Sequence, residues 1–257
     1  MAPEVLRRTR YDGIVFSPHL DDAALSCGGR IHRRTVRGEK VLVVTIFTGD
    51  VPDGPLPELA GRVLLSMGLG REDAMETRRA EDEAACDILG AEPVHWPYLE
   101  CPLRLDEAGD PLYTDYRQLF SEPRPEDEAL IEDIAAAMAD LPPADHLVAP
   151  LGVGSHVDHH IVREAAERTF KDRLAFYEDF PYVRKTFALS RALGSRKEWR
   201  EESLSLDERD LRAKLQSVAA YATQVPPLFG TEERMERRIR RWARKVRGER
   251  QWFRRLE

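Results

Sequence analysis

A chain of 257 residues, 42% hydrophobic and 33% charged, holds enough apolar material for one large core, which excludes a disordered or low-complexity protein. No apolar stretch approaches the ~20 residues of a membrane span, and Met1 to Arg10 is basic without the apolar run of a secretory leader. The net charge of −7 conceals an asymmetry: residues 230–257 carry eleven Arg or Lys against five Glu, a balance of +6 that leaves −13 for the rest.

That basic end reads as a solvated helix. Glu232, Glu233 and Glu236 stand close enough to Arg237, Arg240 and Arg241 for pairing four residues apart. Trp242, Val246 and Trp252-Phe253 would dock it on the body or on a second subunit, so a homo-oligomer is compatible with the sequence. An acidic body repels phosphate, and neither nucleic acid nor a membrane is expected as a partner. Cys27, Cys86 and Cys101 are an odd, widely spaced set without Cys-x-x-Cys. Free thiols in a reducing compartment, the cytoplasm, are expected.

Strand-like and helix-like patterns alternate along the chain. Residues 13–16 read as a strand and 22–37 as a helix; 40–47 is a second strand, β-branched and apolar on both faces. Helical spacing of Ala80, Ala84, Ala85, Ile88 and Leu89 marks 71–89, with Gly90 placed as a C-terminal cap. Residues 93–96 are a short strand, 126–140 a helix, 146–149 a strand, 157–170 a helix and 173–177 a fifth strand. A late helix begins at Ser205, three residues before Glu208 in capping-box spacing. The expected architecture is α/β: a Rossmann-like, mostly parallel sheet flanked by helices, with a C-terminal helical segment. Two Pro- and Gly-rich connections, 50–70 and 98–125, leave the carboxyl ends of strands. Loops of that length are expected to wall a substrate pocket.

Two clusters follow apolar strands, Pro18-His19-Leu20-Asp21-Asp22 and His156-Val157-Asp158-His159. Strand ends of an open α/β sheet converge on its ligand crevice. His19 and Asp22, three residues apart on a turn, can reach one ion, and His159 can complete a set of two imidazoles and one carboxylate. Asp21 projects differently from its neighbour and is the natural general base. His156, near the metal without binding it, can polarise a carbonyl or protonate a leaving amine. Asp158 can fix a histidine tautomer, with His156 as the expected partner. One His beside an Asp is more often a surface pair, but two such clusters after two strands point to a metal-dependent hydrolase. His32, His95, His146 and His160 lack that context and read as surface or core residues.

Two other readings use the same residues. A non-haem iron(II) oxygenase shares the two-histidine, one-carboxylate set, although it would leave Asp21 and His156 idle. A catalytically silent binding module could keep the metal alone. A nucleotide-binding Rossmann domain is discounted, because Leu25-Ser26-Cys27-Gly28-Gly29 is no Gly-x-Gly-x-x-Gly.

The two clusters resemble the signatures of the LmbE-like (PIG-L) family of zinc-dependent N-acetyl-sugar deacetylases, Pro-His-x-Asp-Asp and His-x-Asp-His. Arg78, Glu81, Ala85 and Leu89-Gly90 keep the family's spacing, and Lys214, Tyr221 and Gln224 resemble its Lys…Tyr-x-Ser-Gln segment. The resemblance runs from about residue 12 to 225. It implies a deacetylase domain over 1–225 and leaves 226–257 as a basic helical extension packed on the same domain. It also implies one Zn2+ per chain on His19, Asp22 and His159, Asp21 as base, His156 with Asp158 at the developing oxyanion, and Arg78 contacting substrate. The implied reaction removes an N-acetyl or similar acyl group from an amino sugar or glycosylated small metabolite. Leu20 stands where Pro is common and Thr223 where Ser is usual. The tyrosine that some relatives carry before His-x-Asp-His is replaced by Gly152-Val153-Gly154-Ser155, with Tyr113, Tyr116 or Tyr182 as conceivable substitutes.

Overall fold

The two most apolar runs lie side by side. β1 (Tyr11–Ser17) and β2 (Val41–Thr45) pair in parallel with Ile14 opposite Leu42 and Val15 opposite Val43, and nearly every residue in both is buried. Strands covered on both faces must be apolar on both, which is why these two carry no alternation. The computed structural model describes residues 8–255; the first seven residues and the last two, parts of the terminal readings above, lie outside the described residues.

Beyond β2 lies β3 (Glu92–His95), and on the other side of β1 lie β4 (Ala144–Pro150) and then β5 (Leu174–Tyr177), all parallel. The chain therefore runs outward through β1, β2 and β3, then returns to the opposite side of β1. Crossovers are right-handed, so the helices must change face where the direction reverses. α1 (Asp22–Thr35), α2 (Glu58–Ser66) and α3 (Ala74–Leu89) precede the reversal; α4 (Glu128–Ala139) and α5 (Val157–Phe170) follow it and pack on each other. The reversal falls between β1 and β4. Both motif clusters leave the carboxyl ends of these two strands, at the point where open sheets take ligands.

The expected strands and helices of this half all form, with bounds shifted by up to three residues, and Gly90 caps α3 at φ 71°. The connection 50–70 is not wholly irregular, since it contains α2. Later come α6 (Ala188–Leu193), α7 (Glu208–Ala219), α8 (Val225–Phe229) and α9 (Glu232–Val246). α7 packs on α1 and α3. Its N-cap is Asp207, not Ser205: the Asp207 carboxylate accepts from the backbone of Arg209 and Asp210, both at 2.9 Å.

The helical reading of the basic end holds for α8 and α9 and is corrected for residues 249–254. Glu249–Arg254 is a strand, β7, lying antiparallel between β5 and β6 (Trp199–Leu204) in a seven-stranded sheet ordered β3-β2-β1-β4-β5-β7-β6. Its inward positions hide the signal because two are polar: Glu249 and Gln251 are buried beside the fully buried Trp252. Arg240 does pair with Glu236 four residues earlier, as expected of α9.

Candidate metal and catalytic site

The turn after β1 is fixed by its own side chains. Ser17 Oγ donates to the His19 carbonyl at 2.7 Å and accepts from Ala23 N at 3.0 Å, so β1 is stapled to the start of α1. His19 N donates to Asp22 Oδ2 at 3.0 Å. The same oxygen lies 3.2 Å from His19 Nδ1 and 3.2 Å from His159 Nε2. Donors bound to zinc at about 2.0–2.1 Å in a tetrahedron stand about 3.3 Å apart, so these two separations are those of neighbouring donors around one metal.

The far side of each imidazole carries a carboxylate. Asp179 Oδ1 lies 2.6 Å from His159 Nδ1, and Asp158 Oδ2 lies 3.0 Å from His19 Nε2. A metal bound between them would take the inner nitrogen of each ring while the outer one keeps its proton for the carboxylate, the arrangement that orients metal-binding histidines. His159 Nε2 is buried and has no hydrogen-bond partner. Burial opposes charge on both rings, yet Asp158 and Asp22 hold His19 well above the usual imidazole range, and Asp22 and Asp179 hold His159 at about 9. A pocket that favours positive charge this strongly against burial suits a cation. The residues fit a divalent metal: ring nitrogens of His19, His156 and His159 lie within 4.8 Å of one another, and Asp22 Oδ2 stands against those of His19 and His159.

Asp21 lies beside this trio and is buried; burial, then the neighbouring Asp22, push its carboxyl up to about 8 against the opposing charge of Arg78. Arg78 on α3 is itself buried and ion-paired with Glu100. It lines the pocket, and it faces Asp21 electrostatically. His156 caps α5: its Nδ1 accepts from Asp158 N at 3.3 Å, which leaves Nε2 as the donor of the neutral ring. Burial, then the charge of His19, hold His156 well below the usual range, so the ring is neutral.

The expected pairing of Asp158 with the His156 ring is not formed. The Asp158 carboxylate is used up by three other partners: His19 Nε2, Cys101 N at 3.0 Å and Arg104 Nη1 at 2.6 Å. Arg104 continues to Asp127 at 3.0 Å. The reason is topological, because the 98–125 connection folds back over the start of α5 and brings a guanidinium that no spacing rule connects to Asp158. Asp179, Cys101, Arg104 and Glu100 were not singled out in the sequence. An Asp two residues past the fifth strand was the only signal for Asp179.

The cavity, with about 850 Å³ of empty space when its open mouth is included, collects His19, Asp21, Asp22, Arg78, His156 and Asp158. Connections 50–70 and 98–125 do supply walls, through Val63, Ser66 and Met67 and through Glu100, Pro102, Tyr116, Leu119 and Phe120. Of the three tyrosines considered, Tyr116 and Tyr182 line it, whereas Tyr113 is fully buried against Asp127. Tyr182 stands against Gly154, where a Cβ would come within 2.6 Å of it and φ is 100°. Only glycine fits there, so the segment that lacks a tyrosine makes room for one from elsewhere. His32, His95, His146 and His160 sit away from the site, against Asp210, Asp82, Gln251 and Glu122.

Residues 14–170 match the PIG-L family, described as GlcNAc-PI de-N-acetylase. The 2′-N-acetylparomamine deacetylase of Streptomyces fradiae is 34% identical over 185 residues, which cover 70% of this chain and 60% of that protein, so the alignment spans less than two thirds of that relative. Among solved structures, the zinc-inhibited form of a teicoplanin deacetylase superposes with a TM-score of 0.78 at 29% identity, over 95% of this chain and 97% of the other. An antimicrobial pseudoaglycone deacetylase superposes with a TM-score of 0.71 at 29% identity, over 95% and 97%. The family model covers well over half of the chain, and the chain belongs to the PIG-L family.

Proposed function

We propose that this protein is a zinc-dependent deacetylase that hydrolyses the amide of an N-acetyl, or similar N-acyl, amino sugar on a small glycosylated metabolite. The observation that carries the reading is the convergence of His19 Nδ1 and His159 Nε2 on one Asp22 oxygen, with Asp21 and His156 beside them. His19, Asp22 and His159 would hold one zinc ion per chain, which when bound supplies Lewis acidity and brings the pKa of a water to about 7.

The protein's own groups then divide the proton work. Asp21, buried beside the prospective ligands, takes the proton of the attacking water, and the departing nitrogen is protonated in turn. His156, neutral and with Nε2–H free, donates to the carbonyl oxygen as charge grows there. Asp158 and Asp179 keep the ligand rings in the right tautomer. Arg78 faces Asp21 from the substrate side of the pocket and favours its ionised form.

Family membership supports hydrolysis over oxygenase chemistry. The presence of both Asp21 and His156 in the cavity supports an enzyme over a silent module. Among the described residues no helix is long and apolar enough to cross a membrane, and the three cysteines are buried and free, which supports a cytoplasmic setting. Pro227 and Leu228 line the cavity, which supports reading 226–257 as one functional unit with 1–225. The test is primary-amine release from a panel of N-acetylglucosaminyl conjugates, with and without zinc. Metal-dependent release that disappears in Asp21→Asn is expected; no release from any conjugate by the zinc-loaded protein would overturn the reading.

A further inference from the structure

The cavity is chemically divided, and its outer half has no counterpart in the reaction just described. Four carboxylates line it, Asp21, Asp22, Glu100 and Asp158, and Asp22 and Asp158 stand directly against His19. Beyond His156 the wall includes a run of aromatic rings. Phe120 meets the His156 ring edge-on at 5.3 Å, and Tyr116 follows at 5.8 Å from Phe120. Tyr182 stands across from Phe120 at 5.8 Å. Tyr116 is 64% exposed although it lies on the cavity wall, so a large ring face is presented to whatever occupies the mouth.

The charge at this mouth is cationic. Lys185 Nζ sits 5.3 Å from the Phe120 ring centre and 5.4 Å from that of Tyr182, and no carboxylate pairs with it among the described residues. Arg184 is next to it in sequence, and its guanidinium is held below its ordinary range by burial and then by Arg238 and Arg241. Arg238 in turn donates to the carbonyl of the cavity-lining Leu228 at 3.0 Å. A polycationic substrate would meet the like charges of Lys185, Arg184, Arg238 and Arg241, with the exposed Asp115 next to Tyr116 as an opposing charge. An aromatic ring would find two ring faces and an ammonium that favours electron-rich or acidic substituents.

Resting on the deacetylase reading, we propose that Tyr116, Phe120 and Lys185 form an aglycone subsite that selects amino sugars attached to an aromatic, non-cationic group. The amide lies at His156, the sugar ring spans Phe120, and the aglycone ring lies on Tyr116 beneath Lys185. The subsite thus favours an aryl amino-sugar conjugate over a polyamine of the paromamine kind.

Binding tests it without turnover. The probes are glucosamine and its 4-nitrophenyl, 4-carboxyphenyl and 4-(trimethylammonio)phenyl glycosides, titrated calorimetrically into zinc-loaded protein. The nitrophenyl glycoside should bind more tightly than glucosamine, and Tyr116→Ala should lower that ratio by about tenfold, the upper range for one aromatic pair. Lys185→Glu should reverse the preference for the carboxyphenyl over the ammoniophenyl glycoside. Tyr116 and Lys185 are exposed, so both variants should fold. Equal affinities for glucosamine and the aryl glycosides, or ratios unmoved in both variants, would overturn the subsite. Retained aryl selectivity with no amine release from the N-acetyl forms would instead overturn the reaction and leave the subsite standing.

Discussion

Glu249→Ala should be among the most destabilising single substitutions outside the apolar core, and it should act on the helix that carries Asp22. α1 is not continuous: at Cys27 the backbone leaves the helical region, φ −138° and ψ 19°. Glu249, from β7, takes over two backbone groups beyond that break, accepting from Gly29 N at 3.0 Å and Arg30 N at 2.7 Å. It caps the second half of the helix from another element. The same carboxylate accepts from Lys214 Nζ at 2.6 Å, and both side chains are about 95% buried, at 6% and 5% exposure. Removing it strands two buried N–H groups at ~1–3 kcal/mol each. It also leaves a buried ammonium, and breaking a buried pair from one side costs ~3–5 kcal/mol. These costs overlap, so about 4 kcal/mol is expected in urea unfolding, a midpoint shift of roughly 1–2 M. Adding Lys214→Met removes the stranded charge but not the orphaned N–H groups, so the double variant should recover about half of the loss. A loss below ~1 kcal/mol in Glu249→Ala, or a double variant no more stable than the single, would refute the reasoning.

Other substitutions separate the remaining roles. Asp179→Asn keeps the size of the side chain but weakens its grip on His159 Nδ1, and should reduce zinc affinity ~10–100-fold by competition titration; unchanged affinity would remove Asp179 from the site. Asp21→Asn should keep full zinc occupancy by metal analysis while kcat falls by ~10²–10⁴, and wild-type turnover would assign the base elsewhere. His156→Ala should also retain zinc and lose ~10²–10³ in kcat, the cost of one oxyanion donor; an unaltered kcat would leave the carbonyl to other donors.

How much was legible follows from where each signal lies in the chain. The parallel strands were readable because a strand covered on both faces must be apolar throughout, and β1 and β2 are. β7 was not, because its inward Glu249 and Gln251 are polar side chains that meet Lys214 and His146 from elsewhere in the fold. α2 was masked by the prolines and glycines around it. The prospective ligands and base were readable because they sit in two short clusters at strand ends. Their supports were not, since Asp179, Cys101 and Arg104 reach the site only once β5 and the 98–125 connection are in place.

The misplaced partner of Asp158 shows what sequence proximity cannot supply. Within the second cluster, Asp158 stands two residues from His156, and their ring–carboxylate pairing was the natural guess. On α5, however, His156 is the N-cap, with Nδ1 tied to the backbone of Asp158, while the Asp158 side chain crosses to His19 of the first cluster. Burial disfavours its ionised form, but Arg104 and then His19 override burial and hold the carboxyl well below the usual carboxylate range. An acceptor that stays anionic fixes the His19 ring with Nε2–H outward and Nδ1 on the side of Asp22, where a metal would take its lone pair. The two clusters are therefore laced: the first supplies a donor ring, and the second supplies the carboxylate that aims it. Neither is a metal site alone. The site exists only when β1 and β4 lie side by side, which couples metal affinity to the integrity of the sheet at its reversal point.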